Sequence, residues 1–155
     1  MKYVFDTSPL ADLFRHYYPS RFPTLWENFD VMIKAGEITS TREVLREIED
    51  REDPLSEWAK SHEELFMMPN AQEAKFVSEI YRVAHFQQNI ELQKIYKGGK
   101  NADPFVIARA GVLGITVVTN EKIKPNAAKI PNICQHFDIG CINLEKFMEG
   151  ENWKF

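Results

Sequence analysis

The sequence predicts an α/β domain in which helices cover both faces of a parallel sheet. Tyr3-Val4-Phe5 is an unbroken apolar run that ends at Asp6, which is typical of a strand buried on both faces. Residues 115–118 form a second, β-branched run that also ends in polar residues. Apolar residues at helical spacing separate these runs, and strands that alternate with helices form parallel sheets.

The composition limits the size and class of the protein. A chain of 155 residues with 44% hydrophobic residues is long enough for one domain, residues 1–155, with a substantial core. A net charge of −4 excludes a generally basic nucleic-acid binder, so a polyanion would need a local basic patch or a metal ion. Two cysteines are too few for a disulfide framework, and we find no signal peptide and no apolar run of membrane-spanning length. We therefore expect a cytoplasmic protein.

The first strand and the turn after it are expected to organise the domain. Asp6 should lie at the carboxyl end of a central strand, which is the edge where open α/β sheets bind ligands. Thr7 or Ser8 is expected to cap a helix over residues 8–17, and Pro9 suits the first turn of that helix.

The remaining elements follow from periodicity and from end signals. In the first half we predict a helix over 24–35 closed by Gly36, a brief strand over 37–39, a capping box over 40–43 that opens a helix, and a short helix around 55–59. In the second half we predict a helix over 72–96, either continuous or broken near 88–89, and then a basic loop over 97–100. The next helix should have Asp103 as its cap and Pro104 as its first residue. After it we predict a strand over 115–118, a loop over 122–133, a strand over 141–144 and a helix from 145.

Four acidic residues are candidates for a metal site. They are Asp6, Glu47, Asp103 and Glu121, and three of them stand where strands meet helices, so a wound sheet would bring them to one edge. Clustered carboxylates repel, and their burial costs free energy unless a cation neutralises them. Oxygen ligands favour Mg²⁺ or Mn²⁺, and such an ion can polarise a phosphate and activate water.

Lysines on both sides of the later acids predict a basic rim along which a nucleic-acid backbone could lie. They are Lys97, Lys100, Lys122, Lys124 and Lys129.

Each acidic residue also has a structural explanation. Asp6 and Asp103 precede residues that start helices, so each alone could be a capping or turn residue. Glu43 fits a capping role, Glu47 could face solvent, and Asp12 fits the surface of the first helix or a position behind the site.

Two other chemistries fit the sequence less well. Cys134, His136 and Cys141 are one ligand short of a zinc site, so we expect two packed thiols and a surface histidine. A phosphomonoesterase with an aspartate nucleophile would need a second aspartate two residues after Asp6, where Ser8 stands.

Several sequence blocks, in order, resemble the PIN-domain nucleases, which include the VapC-like toxin ribonucleases, and specifically the DUF4411 branch of that superfamily. The blocks are Y-V-F-D-T-S-P-L, S-T-R-E-V-L-R-E-I, N-A-D-P-F-V-I-A-R-A and T-V-V-T-N-E-K, together with L-F-R-H-Y-Y-P-S-R-F-P-T-L-W, K-I-P-N-I-C and the closing E-N-W-K-F. The resemblance implies a three-layer α/β/α sandwich with a central parallel sheet of about five strands. It also implies a Mg²⁺- or Mn²⁺-dependent endoribonuclease that cleaves single-stranded RNA, in many relatives the toxin partner of a small antitoxin protein.

The resemblance also assigns residues. It implies Asp6, Glu47 and Asp103 as the metal-binding and catalytic acids, Thr119 as a polar residue at a strand end, Ser8 as a hydroxyl beside the first acid, and Glu121 where relatives commonly carry aspartate. Apart from the resemblance, the basic rim predicts that Lys100 and Lys122 contact the RNA, and Ser8 and Thr119 are expected to contact it beside the acids. The departure at Glu121 leaves open a catalytically degenerate module that binds RNA or protein. The aromatic segment 17–26 could leave apolar surface exposed and so favour a homodimer.

Overall fold

A computed structural model describes residues 1–96, 98 and 100–155 of the chain. Two residues of the predicted basic loop, Lys97 and Gly99, lie outside the described residues.

The described residues form an α/β fold around one parallel sheet of five strands in the order β3-β2-β1-β4-β5. The strands are β1 (Tyr3–Phe5), β2 (Ile38–Thr41), β3 (Phe66–Met67), β4 (Thr116–Val118) and β5 (Cys141–Ile142). From β1 the chain adds β2 and β3 on one side, and then returns to place β4 and β5 on the other. The predicted α/β class with a central parallel sheet is confirmed, and helices on both sides of the sheet are consistent with the three-layer sandwich.

Nine α-helices in the described part of the chain surround this sheet. They are α1 (Thr7–His16), α2 (Pro23–Lys34), α3 (Arg42–Glu49), α4 (Pro54–Lys60), α5 (Ala71–Arg82), α6 (Gln88–Tyr96), α7 (Asp103–Leu113), α8 (Ile130–His136) and α9 (Leu144–Gly150). Short 3₁₀ turns precede β3 and α6, at Glu63–Leu65 and Ala84–Gln87.

The core is built on the two central strands. Val4, Phe5, Val117 and Val118 are fully buried, as the unbroken apolar runs predict. The ring of Phe5 contacts Phe29 of α2 and Phe147 of α9 with centroid separations of 5.5 and 5.1 Å, so one aromatic cluster ties two helices to the central strand.

Three predicted helix caps are wrong because tertiary contacts use the side chains elsewhere. α1 begins at Thr7 itself, so neither Thr7 nor Ser8 is its cap. α7 begins at Asp103, and Ala102 rather than Asp103 occupies the cap position. Ser40 lies in β2, where its hydroxyl donates to the carbonyl oxygen of Phe5 at 2.7 Å, and Thr41 caps α3 instead.

Two further predictions differ from the structure. The segment 122–133 is not entirely loop, because α8 begins at Ile130, with Pro131 in its first turn, where a missing N–H costs nothing. The predicted helix over 72–96 is indeed broken, but at Val83, whose extended backbone ends α5. Gly36 has the predicted closing role after α2, with a φ of 71°.

Two further expectations concern membrane-spanning segments and a homodimer. None of the helices in residues 1–96, 98 and 100–155 is both long and apolar enough to cross a membrane. In the aromatic segment 17–26, Trp26 turns inward and donates its indole N–H to the carbonyl oxygen of Tyr17 at 2.6 Å, whereas Tyr18 is 52% exposed. The homodimer therefore remains a prediction.

A buried ion pair joins the helices α5 and α7 to the sheet. Arg109 of α7 lies 3.2 Å from the carboxylate of Glu73 in α5, and the two side chains are only 6% and 3% exposed. The Nε atom of Arg109 donates to the hydroxyl of Thr39 in β2 at 3.0 Å. Both charges are thus removed from water and depend on each other.

We predict that Arg109→Met lowers the free energy of unfolding by about 3–5 kcal/mol, because it leaves the carboxylate of Glu73 buried without its cation. Urea denaturation followed by circular dichroism measures the loss. Arg82→Met, at an exposed arginine of α5, is the matched control and should change stability by less than about 0.5 kcal/mol. Adding Glu73→Gln to Arg109→Met should restore part of the loss, and no restoration would contradict this assignment.

Candidate functional site

Three of the four predicted acids, Asp6, Glu47 and Glu121, line a cavity at the carboxyl edge of the sheet. Its volume is about 590 Å³, and its charged lining comprises Asp6, Asp12, Glu47 and Glu121 together with Arg15, Arg51 and Lys100. We call it the central cavity. It opens beside the boundary between β1 and β4, where the chain changes the side on which it adds strands, and ligands of open α/β sheets bind at such a point.

Asp6 is held at this boundary by hydroxyl groups. It is 3% exposed, and its Oδ2 atom accepts a hydrogen bond from Thr119 Oγ1 at 2.8 Å and a longer one from Ser8 Oγ at 3.4 Å. Its backbone N–H donates to the carbonyl oxygen of Val118 at 3.0 Å, so the pairing of β1 with β4 sets its position. The structure thus places the predicted Ser8 and Thr119 directly against the first acid.

Glu47 reaches the cavity from the second turn of α3. Its Oε2 atom accepts a hydrogen bond from Thr7 Oγ1 at 2.6 Å, and its Oε1 atom accepts one from the backbone N–H of Ala102 at 3.2 Å. This carboxylate therefore ties α3 to the starts of both α1 and α7. The role of Thr7 was missed from sequence, where the residue was assigned as a cap.

Asp103 is buried beside this group, at 1% exposure, but is not among the described residues that line the central cavity. Its Oδ2 atom accepts a hydrogen bond at 2.9 Å from Nδ2 of Asn89, which also donates to the carbonyl oxygen of Ala128 at 3.2 Å. The Oδ1 atom of Asn89 accepts from the Tyr81 hydroxyl and from Asn101. Burial, with a contribution from the charge of Asp103, raises the pKa of Tyr81 to about 12.

Glu121 stands between the central cavity and a second cavity of about 730 Å³. Its Oε2 atom accepts a hydrogen bond from the backbone N–H of Ile130, the first residue of α8, at 3.0 Å. Its own N–H donates to Thr119 Oγ1 at 3.3 Å. The longer side chain at this position thus reaches the start of a helix.

The cations at the site differ in part from the predicted set. Lys100 lines the central cavity and pairs with Asp50, whereas Lys122 lines the second cavity. Arg15 and Arg51 line the central cavity and were missed, because their sequence surroundings carry no recognised pattern. Asp12, whose role was left open, lines the cavity and pairs with Arg15 at 3.0 Å.

The donor chemistry of the cavity fits a hard divalent cation better than zinc. Asp6, Glu47 and Glu121 offer oxygen atoms, which Mg²⁺ and Mn²⁺ prefer. Within residues 1–96, 98 and 100–155, the side chains of histidine, cysteine, aspartate and glutamate form no group of three or more that could hold a metal ion. Cys134 and Cys141 are free, and the hydrogen bond between them, together with burial, raises the pKa of the Cys134 thiol, which disfavours a thiolate ligand there.

The chain belongs to the family described as Domain of unknown function (DUF4411), whose family model matches residues 3–155. No curated protein matches the chain.

We predict that Asn89→Ala lowers the free energy of unfolding by about 2–3 kcal/mol, because it removes donors to two buried acceptors, at Asp103 and Ala128. Urea denaturation measures the change. Gln88→Ala, at the exposed neighbouring position of α6, is the control and should be close to neutral. Equal stability of the two variants would show that the asparagine network does not hold Asp103.

Proposed function

We propose that this protein is a metal-dependent endoribonuclease that cleaves single-stranded RNA, and that it is the toxin of a toxin–antitoxin pair. The observation that carries the proposal is the central cavity, which Asp6 and Glu47 both line at the strand-order change of a parallel sheet, together with Arg15, Arg51 and Lys100. The sequence resemblance to PIN-domain nucleases adds the reaction class, since a fold alone does not fix a function.

Mg²⁺ or Mn²⁺ is the cofactor of this proposal. Mg²⁺ keeps several of its waters and commonly takes only one or two protein carboxylates, so Asp6 and Glu47 suffice as direct ligands, with Glu121 completing or tuning the site. Asp103, which is buried at the start of α7, remains a predicted further ligand of the ion. When bound, the ion supplies a Lewis acid for the phosphate and an activated water.

The residues of the chain itself supply orientation. Thr7 fixes one oxygen atom of Glu47, while Ser8 and Thr119 fix one oxygen atom of Asp6, so both carboxylates keep their direction without substrate. Lys100 and Lys122 lie on the rim, where they bind backbone phosphates of the RNA. A small antitoxin would act in the cytoplasm by covering this cavity.

A second candidate is a catalytically degenerate module that binds RNA or protein. One observation favours it: the carboxylate of Glu121 accepts a hydrogen bond from the N–H of Ile130 and so has a structural role at the start of α8. Under this reading the same cations hold RNA, and no divalent ion is needed.

Asp6→Asn separates the two candidates. We expect wild-type protein to cleave single-stranded RNA with Mn²⁺, and we expect the variant to lose at least about 100-fold in rate, because a ligand charge at the metal is removed. Asp30→Asn, at a partly exposed aspartate of α2, is the matched control and should cleave normally. Retained RNA binding with no Mn²⁺-dependent cleavage by wild type would favour the binding module, and equal cleavage by Asp6→Asn would end the proposed mechanism.

Thr7→Val tests the orientation of Glu47. The variant keeps the size and shape of the side chain but loses the 2.6 Å hydrogen bond, so we expect Mn²⁺ affinity to fall about 10-fold. Isothermal titration calorimetry measures the affinity, and Thr24→Val at an exposed threonine of α2 is the control. Unchanged affinity in Thr7→Val would mean that Glu47 is not a ligand whose direction matters.

A further inference from the structure

The central cavity is the middle member of three adjoining cavities along the carboxyl edge of the sheet. It shares Glu121 with the cavity of about 730 Å³ described above, which lies at the ends of β4 and β5 and is called the β5-side cavity. It shares Arg15 and Arg51 with a third cavity of about 190 Å³, which lies at the start of α4 and is called the α4-side cavity. The acids therefore lie within a groove that continues on both sides.

Arg15 and Arg51 lie where the central cavity adjoins the α4-side cavity. Arg15 comes from the last turn of α1, and Arg51 follows α3. The side chain of Arg15 is 64% exposed, and its pairing with Asp12 is a surface ion pair, which contributes little and exchanges readily. Because guanidinium groups match phosphate oxygens in two-point geometry, this pair of arginines is suited to the backbone of a nucleic acid.

Two lysines occupy the other side. Lys122 and Lys146 line the β5-side cavity, and the ion pair of Lys146 with Glu149 is again exposed. The lining of this cavity also includes apolar residues, among them Ile139 and Ile142, and the polar residue Gln135. Such a lining accepts an unstacked base while the lysines meet the phosphates.

The topology separates the two pairs of cations. The α4-side cavity lies near elements that follow β1 and β2, whereas the β5-side cavity lies beyond β4 and β5. The central cavity shares lining residues with both flanking cavities, so an RNA strand that contacts both pairs of cations passes along the cavity that Asp6 and Glu47 line.

We propose that the protein holds one RNA strand on both sides of the acids, with Arg15 and Arg51 binding phosphates on one side and Lys122 and Lys146 binding phosphates on the other. This inference rests on the proposed function for the identity of the strand and for its cleavage. It adds two separate phosphate subsites, of which the arginine subsite had no counterpart in the sequence prediction.

The salt dependence of RNA binding tests the proposal. We measure the affinity of a fluorescent 12-nucleotide single-stranded RNA by anisotropy at several NaCl concentrations, without divalent metal so that the RNA stays intact. Each phosphate contact contributes about 0.7 to the slope of log affinity against log salt, so Arg15→Ala/Arg51→Ala should reduce the magnitude of the slope by about 1.4. Lys122→Ala/Lys146→Ala should reduce it by about the same amount, and the fourfold variant by about twice as much.

The controls and outcomes separate this proposal from the proposed function. Arg21→Ala/Arg82→Ala, at exposed arginines outside the groove, should leave the slope unchanged, and thermal melting checks that every variant is folded. An unchanged slope in either groove variant, or a fourfold variant no weaker than one double variant, overturns the two-sided binding even if wild type cleaves RNA. Slopes as expected without Mn²⁺-dependent cleavage by wild type would support the groove while the nuclease proposal fails.

Discussion

The hydrogen bond between Thr119 and Asp6 is the contact on which the arrangement of the site depends. Both residues directly follow central strands, and the pairing of β1 with β4 brings the two strand ends together. The next residues, Thr7 and Asn120, then extend this contact, because Thr7 donates to Glu47 and the N–H of Asn120 donates to Ser8. A shift of one residue in this strand pair would turn the side chains of one strand to the other face and separate Asp6 from Thr119.

The sequence predicted those parts of the site that depend on local patterns. An unbroken apolar run located β1, a β-branched run located β4, and the polar residues after them located Asp6 and Thr119. The sequence did not predict the contacts that a side chain makes with residues distant along the chain. Asp103 has the residue type of a helix cap, but its carboxylate accepts a hydrogen bond from Asn89, fourteen positions earlier, and no local signal indicates that partner. Arg15 and Arg51 were missed for the same reason, since only the packing of α1 beside the α3–α4 connection brings them to one cavity.

The missed helix α8 has a similar physical explanation. Its sequence surroundings are rich in lysine and proline, which are typical of a loop, and its cap position is held by Lys129, which makes no side-chain cap. The N–H of Ile130 instead donates to Glu121, nine residues away. A helix whose end is satisfied from outside its own segment cannot be located by capping rules, because those rules see only neighbouring residues.

The same contact bears on the chemistry of the site. A carboxylate that accepts a backbone N–H at a helix start is stabilised in its charged form, and a carboxylate has lone pairs for several partners. Glu121 can therefore accept the hydrogen bond from the start of α8 and bind a cation at the same time. The longer side chain reaches Ile130 while the residue lines both the central and the β5-side cavity, so Glu121 joins the start of α8 to the groove.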